Sequence, residues 1–98
     1  MSKLAIIAEL QAKPESFEAF RAAMLRHAAI SLKQDQGCRQ FDVVVPQDAT
    51  NTLMLYEVYD DEASFAGHAK SKHMADHSAA TKDMVASRRL VKAQVISG

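Results

Sequence analysis

A single long helix, marked at both ends, constrains the fold of this chain more than any other feature. Pro14 suits the first helical position, where its fixed φ angle and missing N–H are harmless. Gly37 suits the left-handed conformation that ends many helices. Between them, apolar residues recur at steps of three and four, at Phe17, Phe20, Met24 and Ala28. The pattern predicts an amphipathic helix from Glu15 to about Asp35. His27 has no companion in this pattern, so it is expected at the surface.

Apolar segments on both sides of this helix predict four β-strands. They are Lys3–Ala12, Cys38–Pro46, Leu53–Tyr59 and Arg89–Ser97. A polar, turn-prone segment, Gln47–Thr52, joins the second strand to the third. Because this connection is short, the two strands are expected to form an antiparallel hairpin.

The region between the third and fourth strands predicts two short helices. Asp60 or Asp61 can cap the first helix, Gly67 weakens it, and Ser71 can cap a second helix that runs to about Val85. The element order is therefore β-α-β-β-α-β, with the second helical region broken. This order is typical of an α+β, ferredoxin-like fold, in which both helical regions pack on one face of an antiparallel sheet.

The size of the chain and the pattern of its strands predict one domain that pairs with a second copy. Residues 1–98 have the length of a single small domain. Three of the predicted strands carry apolar residues on both faces, and helices cover only one face of such a sheet. The other face needs a cover, so a homodimer packed sheet to sheet is expected.

Charge and cysteine content exclude several classes of partner. Twelve Lys and Arg residues balance twelve Asp and Glu residues, so neither nucleic acid nor an anionic membrane surface is an expected partner. No segment approaches the roughly 20 apolar residues that span a bilayer. Cys38 is the single cysteine, which excludes an intramolecular disulfide and favours a reducing, cytoplasmic location.

The third strand places a carboxylate among apolar neighbours. Leu53, Leu55, Glu57 and Tyr59 alternate onto one face of this strand. A carboxylate in such surroundings either forms an ion pair or has a raised pKa, and in the second case it can serve as an acid or a base. The alternative is a structural ion pair between Glu57 and a Lys or Arg near the end of the sheet.

His68 lies eleven residues after Glu57 and three residues after Phe65, on the same side of a helix. It could therefore face inward, towards the strand face that carries Glu57. A neutral imidazole in that position can take a proton from a bound substrate or return it. The alternative is a histidine placed at a helix C-terminus by the helix dipole.

His73 and His77 have a spacing that is compatible with two metal ligands on one helix. No glutamate of the HExxH type lies between them and no clear third ligand follows, so no metal is expected. His77 borders apolar positions and is interpreted as structural. The three glycines are not clustered into a phosphate-binding loop, so no bound nucleotide or other cofactor is expected.

Two stretches, QGCRQFDVVV and LMLYEVYDDEASFAGHAKSKHM, resemble the antibiotic biosynthesis monooxygenase domain. The likeness extends over nearly the whole chain, and its most specific part is the pattern YExxxDExxxxxH. Members of this family form dimeric α+β barrels from two ferredoxin-like subunits. Some members oxidise quinols or polyphenols with molecular oxygen and need no cofactor. An isomerase of the phosphorylated autoinducer-2 dione shares the FDV and YExYxDE stretches.

The resemblance implies roles for four residues, and the apolar face of the third strand adds a fifth. Glu57 matches the acid on the family's strand and His68 matches the histidine on its helix, so both are expected to be catalytic. Tyr59 stands where many members have a tryptophan in the substrate cavity, and His73 matches the histidine of the following turn. These two residues and Leu55, on the apolar strand face, are expected to contact the substrate.

Three functions follow as expectations, and each involves a small molecule. The leading one is a cofactor-independent monooxygenase that oxidises a quinol or a related aromatic with O₂. The second is an isomerase of a phosphorylated hydroxy-dione, which would need cations for the phosphate. Candidate cations are Arg39, Lys70, Lys72, Arg88 and Arg89. The third is a non-catalytic module that binds a small molecule on the same fold.

Overall fold

The computed structural model describes residues 2–97, so Met1 and Gly98 of the predicted domain lie outside the described residues. Four strands and three α-helices follow one another along the chain. They are β1 (Leu4–Ala12), α1 (Phe17–Gln34), β2 (Cys38–Val44), β3 (Thr52–Tyr59), α2 (Glu62–Ala69), α3 (Lys72–Thr81) and β4 (Val85–Gln94). A 3-10 turn, Pro14–Ser16, precedes α1, so the proline marks the helix start as expected.

The strands form one sheet in the order β2-β3-β1-β4, and every neighbouring pair is antiparallel. The predicted hairpin between β2 and β3 is confirmed. Ile6 lies opposite Glu57, and Ala8 lies opposite Leu55, so these residues share one face of the sheet. The chain therefore has the ferredoxin-like α+β fold predicted from its element order.

The boundary between α3 and β4 differs from the prediction. The helix ends at Thr81 rather than near Val85, and the strand spans Val85–Gln94 rather than Arg89–Ser97. The end of β1 explains the change, because Lys13 N donates to Met84 O and Ala12 pairs with Val85. Backbone pairing with β1 replaces the helical hydrogen bonds that a longer α3 would have made.

Local signals at the helix ends match the predicted caps. Asp61 accepts a hydrogen bond from Ser64 N at the start of α2, and Ser71 accepts one from Met74 N at the start of α3. Gly37 follows α1 with a φ of 87°, which favours glycine strongly. Within residues 2–97, no helix is both long and apolar enough to span a membrane.

The core lies between the helices and one face of the sheet. Phe20, Met24 and Ala28 of α1 are buried against inward-facing residues of β1 and β3. The sheet positions in this cluster include Ile6, Ala8, Leu10, Leu53, Leu55 and Tyr59. The helix predicted from Glu15 to about Asp35 thus forms part of one layer of the domain, and the sheet forms the other.

Two glycines provide a matched test of the turn after α1. A Cβ on residue 37 would overlap the Ser64 side chain at an unfavourable φ, whereas one on residue 67 meets no atom within 4 Å. We expect Gly37→Ala to lower the free energy of unfolding by at least about 1 kcal/mol. Gly67→Ala, within exposed α2, should raise it by roughly 0.5–1 kcal/mol. Urea denaturation of both variants checks the pair, and equal effects would contradict this account of the turn.

Candidate active site

An apolar cavity of about 570 Å³ lies between the sheet and the three helices. Its walls come from all four strands and from all three helices. They include Ile6, Leu10, Phe20, Met24, Leu55 and Phe65. The volume falls in the range of small-molecule sites, and the lining has the apolar character of such sites. The interior of this small domain is therefore not completely filled by its own side chains.

Glu57 reaches this cavity from β3 and is only 5% exposed. Tyr59 Oη donates a hydrogen bond of 2.6 Å to Glu57 Oε1. Oε2 has no hydrogen-bond partner within residues 2–97 and is not sealed by protein atoms, so it is open to the cavity. Burial raises the pKa of Glu57, although the bond from Tyr59 and the charge of His68 oppose this shift. The structural alternative, an ion pair with Lys or Arg, is not what the described residues form.

Tyr59 lies behind Glu57, fully buried, and does not border the cavity. Burial and the neighbouring Glu57 carboxylate raise the pKa of this phenol far above its usual value. It therefore keeps its proton and can only donate to Glu57. The expected substrate contact of Tyr59 is not visible in this arrangement, whereas Leu55 does line the cavity wall.

His68 forms part of the wall opposite the sheet and is 4% exposed. Its Nδ1 lies 2.6 Å from Asp35 Oδ2. Because a carboxylate can only accept a hydrogen bond, Nδ1 carries the proton and donates it. Nε2 then bears a free lone pair. It has no hydrogen-bond partner among residues 2–97 and is not sealed by protein atoms. This geometry suits a base, and the His68 side chain borders the cavity.

His73 lies on the far side of Asp35 rather than on the cavity wall. Its Nε2 is 3.0 Å from the same Asp35 Oδ2 and 3.3 Å from Ser71 Oγ. It borders a surface cleft that Asp35 and Ser71 also line. His73 therefore does not line the cavity, and the Asp35 carboxylate lies between its ring and that of His68.

Asp35 was missed as a site residue because its sequence position indicates only the end of a helix. It is the C-cap residue of α1, and 33 residues separate it from His68. No local spacing relates the two residues. The turn at Gly37 directs the chain into β2, and the α2–α3 segment then packs over the end of α1, which brings the carboxylate to both imidazoles.

The prediction that His27 lies at the surface is wrong. It is 4% exposed, and its ring stacks on that of His77 with centroids 4.2 Å apart and planes at 13°. The rings of His68 and His73 lie 5.3 and 5.7 Å away. A usable signal was present, because His27 lies three residues after Met24 and seven after Phe20, on the apolar stripe of α1.

The four histidines form one cluster, in which His27 and His77 are held neutral by their surroundings. Burial and three neighbouring histidines lower the pKa of His27 to about 3. Burial also lowers the pKa of His77, which supports its interpretation as a structural residue. His27 Nδ1 is sealed and has no hydrogen-bond partner within residues 2–97. A charged His27 in this position would be costly, because the nearby Asp35 carboxylate offsets only part of the lost solvation and of the repulsion from the other histidines.

Two cations reach the edge of the cavity. Among the five cations considered from the sequence, only Arg88 lines it, and Lys82 joins Arg88 there. Arg39 is paired instead with Asp60, and Lys72 is paired with Asp76. Neither Lys82 nor Arg88 forms an ion pair within the described residues.

Comparison with protein families identifies the family of this chain. A family model described as antibiotic biosynthesis monooxygenase matches residues 4–80, which is most of the chain. The chain therefore belongs to the antibiotic biosynthesis monooxygenase family. No curated protein sequence matches it.

Solved structures share the fold at low sequence identity. A proposed antibiotic biosynthesis monooxygenase from Nitrosomonas europaea is 23% identical, with a TM-score of 0.91 over 96% of this chain and 90% of that one. Another from Caulobacter crescentus is 15% identical, with a TM-score of 0.93 over 98% and 92%. At these identities the likeness establishes the fold alone.

The low pKa of His27 predicts a loss of stability in mild acid. Unfolded His27 protonates near pH 6.5 and the folded residue near pH 3, so the unfolded state binds more protons between these values. Stability must therefore fall as the pH falls through this window, by about 2 kcal/mol from this group at pH 5. The side chain of a His27→Gln variant cannot titrate. Between pH 7 and pH 5 we expect the free energy of unfolding of this variant, measured by urea titration, to fall by about 2 kcal/mol less than that of the wild type. Equal losses in both proteins would contradict the assignment.

Proposed function

We propose that this protein is a cofactor-free monooxygenase that oxidises a quinol or a related aromatic small molecule with molecular oxygen. One observation carries the proposal. His68 and Glu57, two side chains that can hold a proton, both line the same apolar cavity. Membership in the antibiotic biosynthesis monooxygenase family supports oxygen chemistry for this cavity.

His68 is the general base in this proposal. Its Nε2 accepts the proton of a phenolic hydroxyl, and the imidazole becomes an imidazolium. Asp35, hydrogen-bonded to Nδ1 at 2.6 Å, keeps the ring in the tautomer that can accept and stabilises the charge that develops. The apolar walls exclude water, so the substrate anion keeps the electron density that makes it reactive.

Oxygen then reacts with the substrate anion directly. The anion passes one electron to O₂, and the two radicals combine through a new C–O bond to give a peroxide on the substrate. The O–O bond breaks, one oxygen stays on the substrate, and the other leaves as water with two hydrogens from the substrate. One quinol and one O₂ thus give one hydroxyquinone and one H₂O, and no external reductant is required.

Glu57 acts as the proton donor to the peroxide that forms on the substrate. Its raised pKa allows it to hold a proton at Oε2, which it can donate to the peroxide as the O–O bond breaks. Tyr59 fixes the other carboxylate oxygen, and Leu55 forms the adjacent wall. In this proposal Tyr59 and His73 act from behind the wall, through Glu57 and Asp35 respectively.

A second candidate function is the isomerisation of a phosphorylated hydroxy-dione. Lys82 and Arg88, at the edge of the cavity and without acidic partners in the described chain, favour an anionic substrate. The same base, His68, would then move a proton through an enediol, and no oxygen would be consumed. Oxygen uptake distinguishes the two functions.

Substitution of the two cavity groups tests the proposed roles. With a panel of quinols, the wild-type protein should consume one O₂ per substrate, as measured with an oxygen electrode. His68→Gln should lower kcat about 100-fold or more, because the base is lost while the ring position stays filled. Glu57→Gln should also lower kcat. Glu62→Gln is the matched control, since Glu62 is exposed and pairs with Lys92 away from the cavity.

Circular dichroism and thermal melting must show that each variant is folded before its rate is interpreted. No oxygen uptake by the wild type with any quinol would exclude the leading function. Unchanged turnover in a folded His68→Gln variant would remove His68 from the mechanism. Turnover of a phosphorylated dione without oxygen uptake would establish the second function instead.

We also propose that the protein is a homodimer. The face of the sheet away from the helices carries apolar side chains that are partly exposed. They are Ile7, Val44, Met54, Tyr56 and Val91. A second copy packed on this face would cover them and would stabilise a domain of this size. Sedimentation equilibrium should give twice the chain mass of 10.8 kDa, and a monomer at micromolar concentration would exclude the dimer.

A further inference from the structure

Three side chains from three separate elements converge behind the cavity wall. Asp35 lies at the end of α1, His68 on α2 and His73 on α3. The ligand atoms Asp35 Oδ2, His68 Nδ1 and His73 Nε2 all lie within 4.8 Å of one another. Asp35 Oδ2 is 2.6 Å from His68 Nδ1 and 3.0 Å from His73 Nε2. Two imidazole nitrogens thus converge on one carboxylate oxygen.

These distances are close to those of a metal site. In a tetrahedral site with bonds of 2.0–2.1 Å, ligand atoms lie roughly 3.3 Å apart. Asp35 Oδ2 would need to lie about 0.7 Å further from His68 Nδ1 and about 0.3 Å further from His73 Nε2. The two nitrogens, which lie within 4.8 Å of each other, would need to take up the same spacing of about 3.3 Å through side-chain rotations. Two imidazoles and a carboxylate select divalent transition metals such as Zn²⁺, Co²⁺ and Ni²⁺ over Mg²⁺ and Ca²⁺, which prefer oxygen ligands.

The charge balance also favours a cation. Asp35 is nearly buried, and within residues 2–97 its ion-pair partners are His68 and His73 alone. Within the described residues no Lys or Arg pairs with this carboxylate, so a cation could bind it in this low-dielectric position. A divalent ion can enter from the surface cleft that Asp35, Ser71 and His73 line. The cleft also leaves room for water as a fourth ligand.

We propose that Asp35, His68 and His73 form a binding site for a divalent transition metal, and that metal in this site switches off the base. A metal bound at Nδ1 of His68 displaces the proton there, so neutral imidazole must carry its proton at Nε2. Nε2 then donates to the cavity and cannot accept a proton from substrate. The inhibitory effect rests on the proposed oxygenase function, whereas the metal site itself does not.

Metal binding can be measured without any substrate. Tag-free, chelator-treated protein is titrated with Co²⁺, whose visible absorption reports coordination by nitrogen and oxygen, and with Zn²⁺ by calorimetry. We expect one ion per chain with an affinity in the micromolar range. Asp35→Asn and His73→Gln should weaken binding at least about 30-fold. Asp76→Asn is the matched control, because Asp76 lines the same cleft but pairs with Lys72, and its affinity should be unchanged.

Absence of binding at millimolar Co²⁺ and Zn²⁺ in the folded wild type would overturn the proposal. Equal affinity of wild type and His73→Gln would overturn the ligand assignment. Inhibition by the metal is tested by measuring the rate of oxygen uptake with Zn²⁺ and dividing it by the rate without Zn²⁺. This ratio should be well below one for the wild type and near one for His73→Gln. Metal binding that leaves wild-type turnover unchanged, or raises it, would overturn the switch. Metal binding to a protein without oxygenase activity would support the site and refute the oxygenase.

Discussion

The hydrogen bond between Asp35 and His68 is the interaction on which the rest of the site depends. This bond joins the end of α1 to α2. A second contact, from His73 of α3 to the same Asp35 oxygen, joins α3 to them, so three elements meet at one carboxylate oxygen. Charge-assisted hydrogen bonds of this kind contribute about 1.5–3 kcal/mol each to stability. The bond also decides which nitrogen of His68 carries the proton. The packing of the three helices and the proposed chemistry therefore depend on the same carboxylate.

The surroundings of this bond leave room for a small molecule even in so small a domain. The interior between helices and sheet is not filled, and it is bordered by apolar side chains with Glu57 and His68 on facing walls. A packed core here would have favoured a structural role for both residues. The pair His27 and His77 also lines the cavity next to His68, and because both rings are held neutral it brings no further charge there.

Much of this arrangement could be predicted from local sequence patterns. Strand alternation put Glu57 on an apolar face, and helical spacing from Phe65 turned His68 inward; both predictions of position are confirmed. The helix caps at Asp61 and Ser71 and the turn at Gly37 could also be predicted from the sequence, because each depends on a few neighbouring residues.

What could not be predicted depends on contacts between distant parts of the chain. Asp35 meets His68 across 33 residues, and α3 ends early because β1 supplies partners to Met84 and Val85. His27 was misplaced because a polar residue on an apolar stripe was given a surface position by its type. In the structure, His27 is buried because it lies on the apolar stripe of α1, and its ring packs against the rings of three other histidines.

The tautomer of His68 is the most direct test of the account, since the proposed base requires a free lone pair at Nε2. Long-range ¹H–¹⁵N correlation spectra of metal-free, ¹⁵N-labelled protein report the protonation of each ring nitrogen separately. We expect neutral His68 to carry its proton at Nδ1, with an unprotonated Nε2, and Asp35→Asn to disturb this preference. A neutral His68 with its proton at Nε2 would contradict both the Asp35 hydrogen bond and the role of His68 as a base facing the cavity.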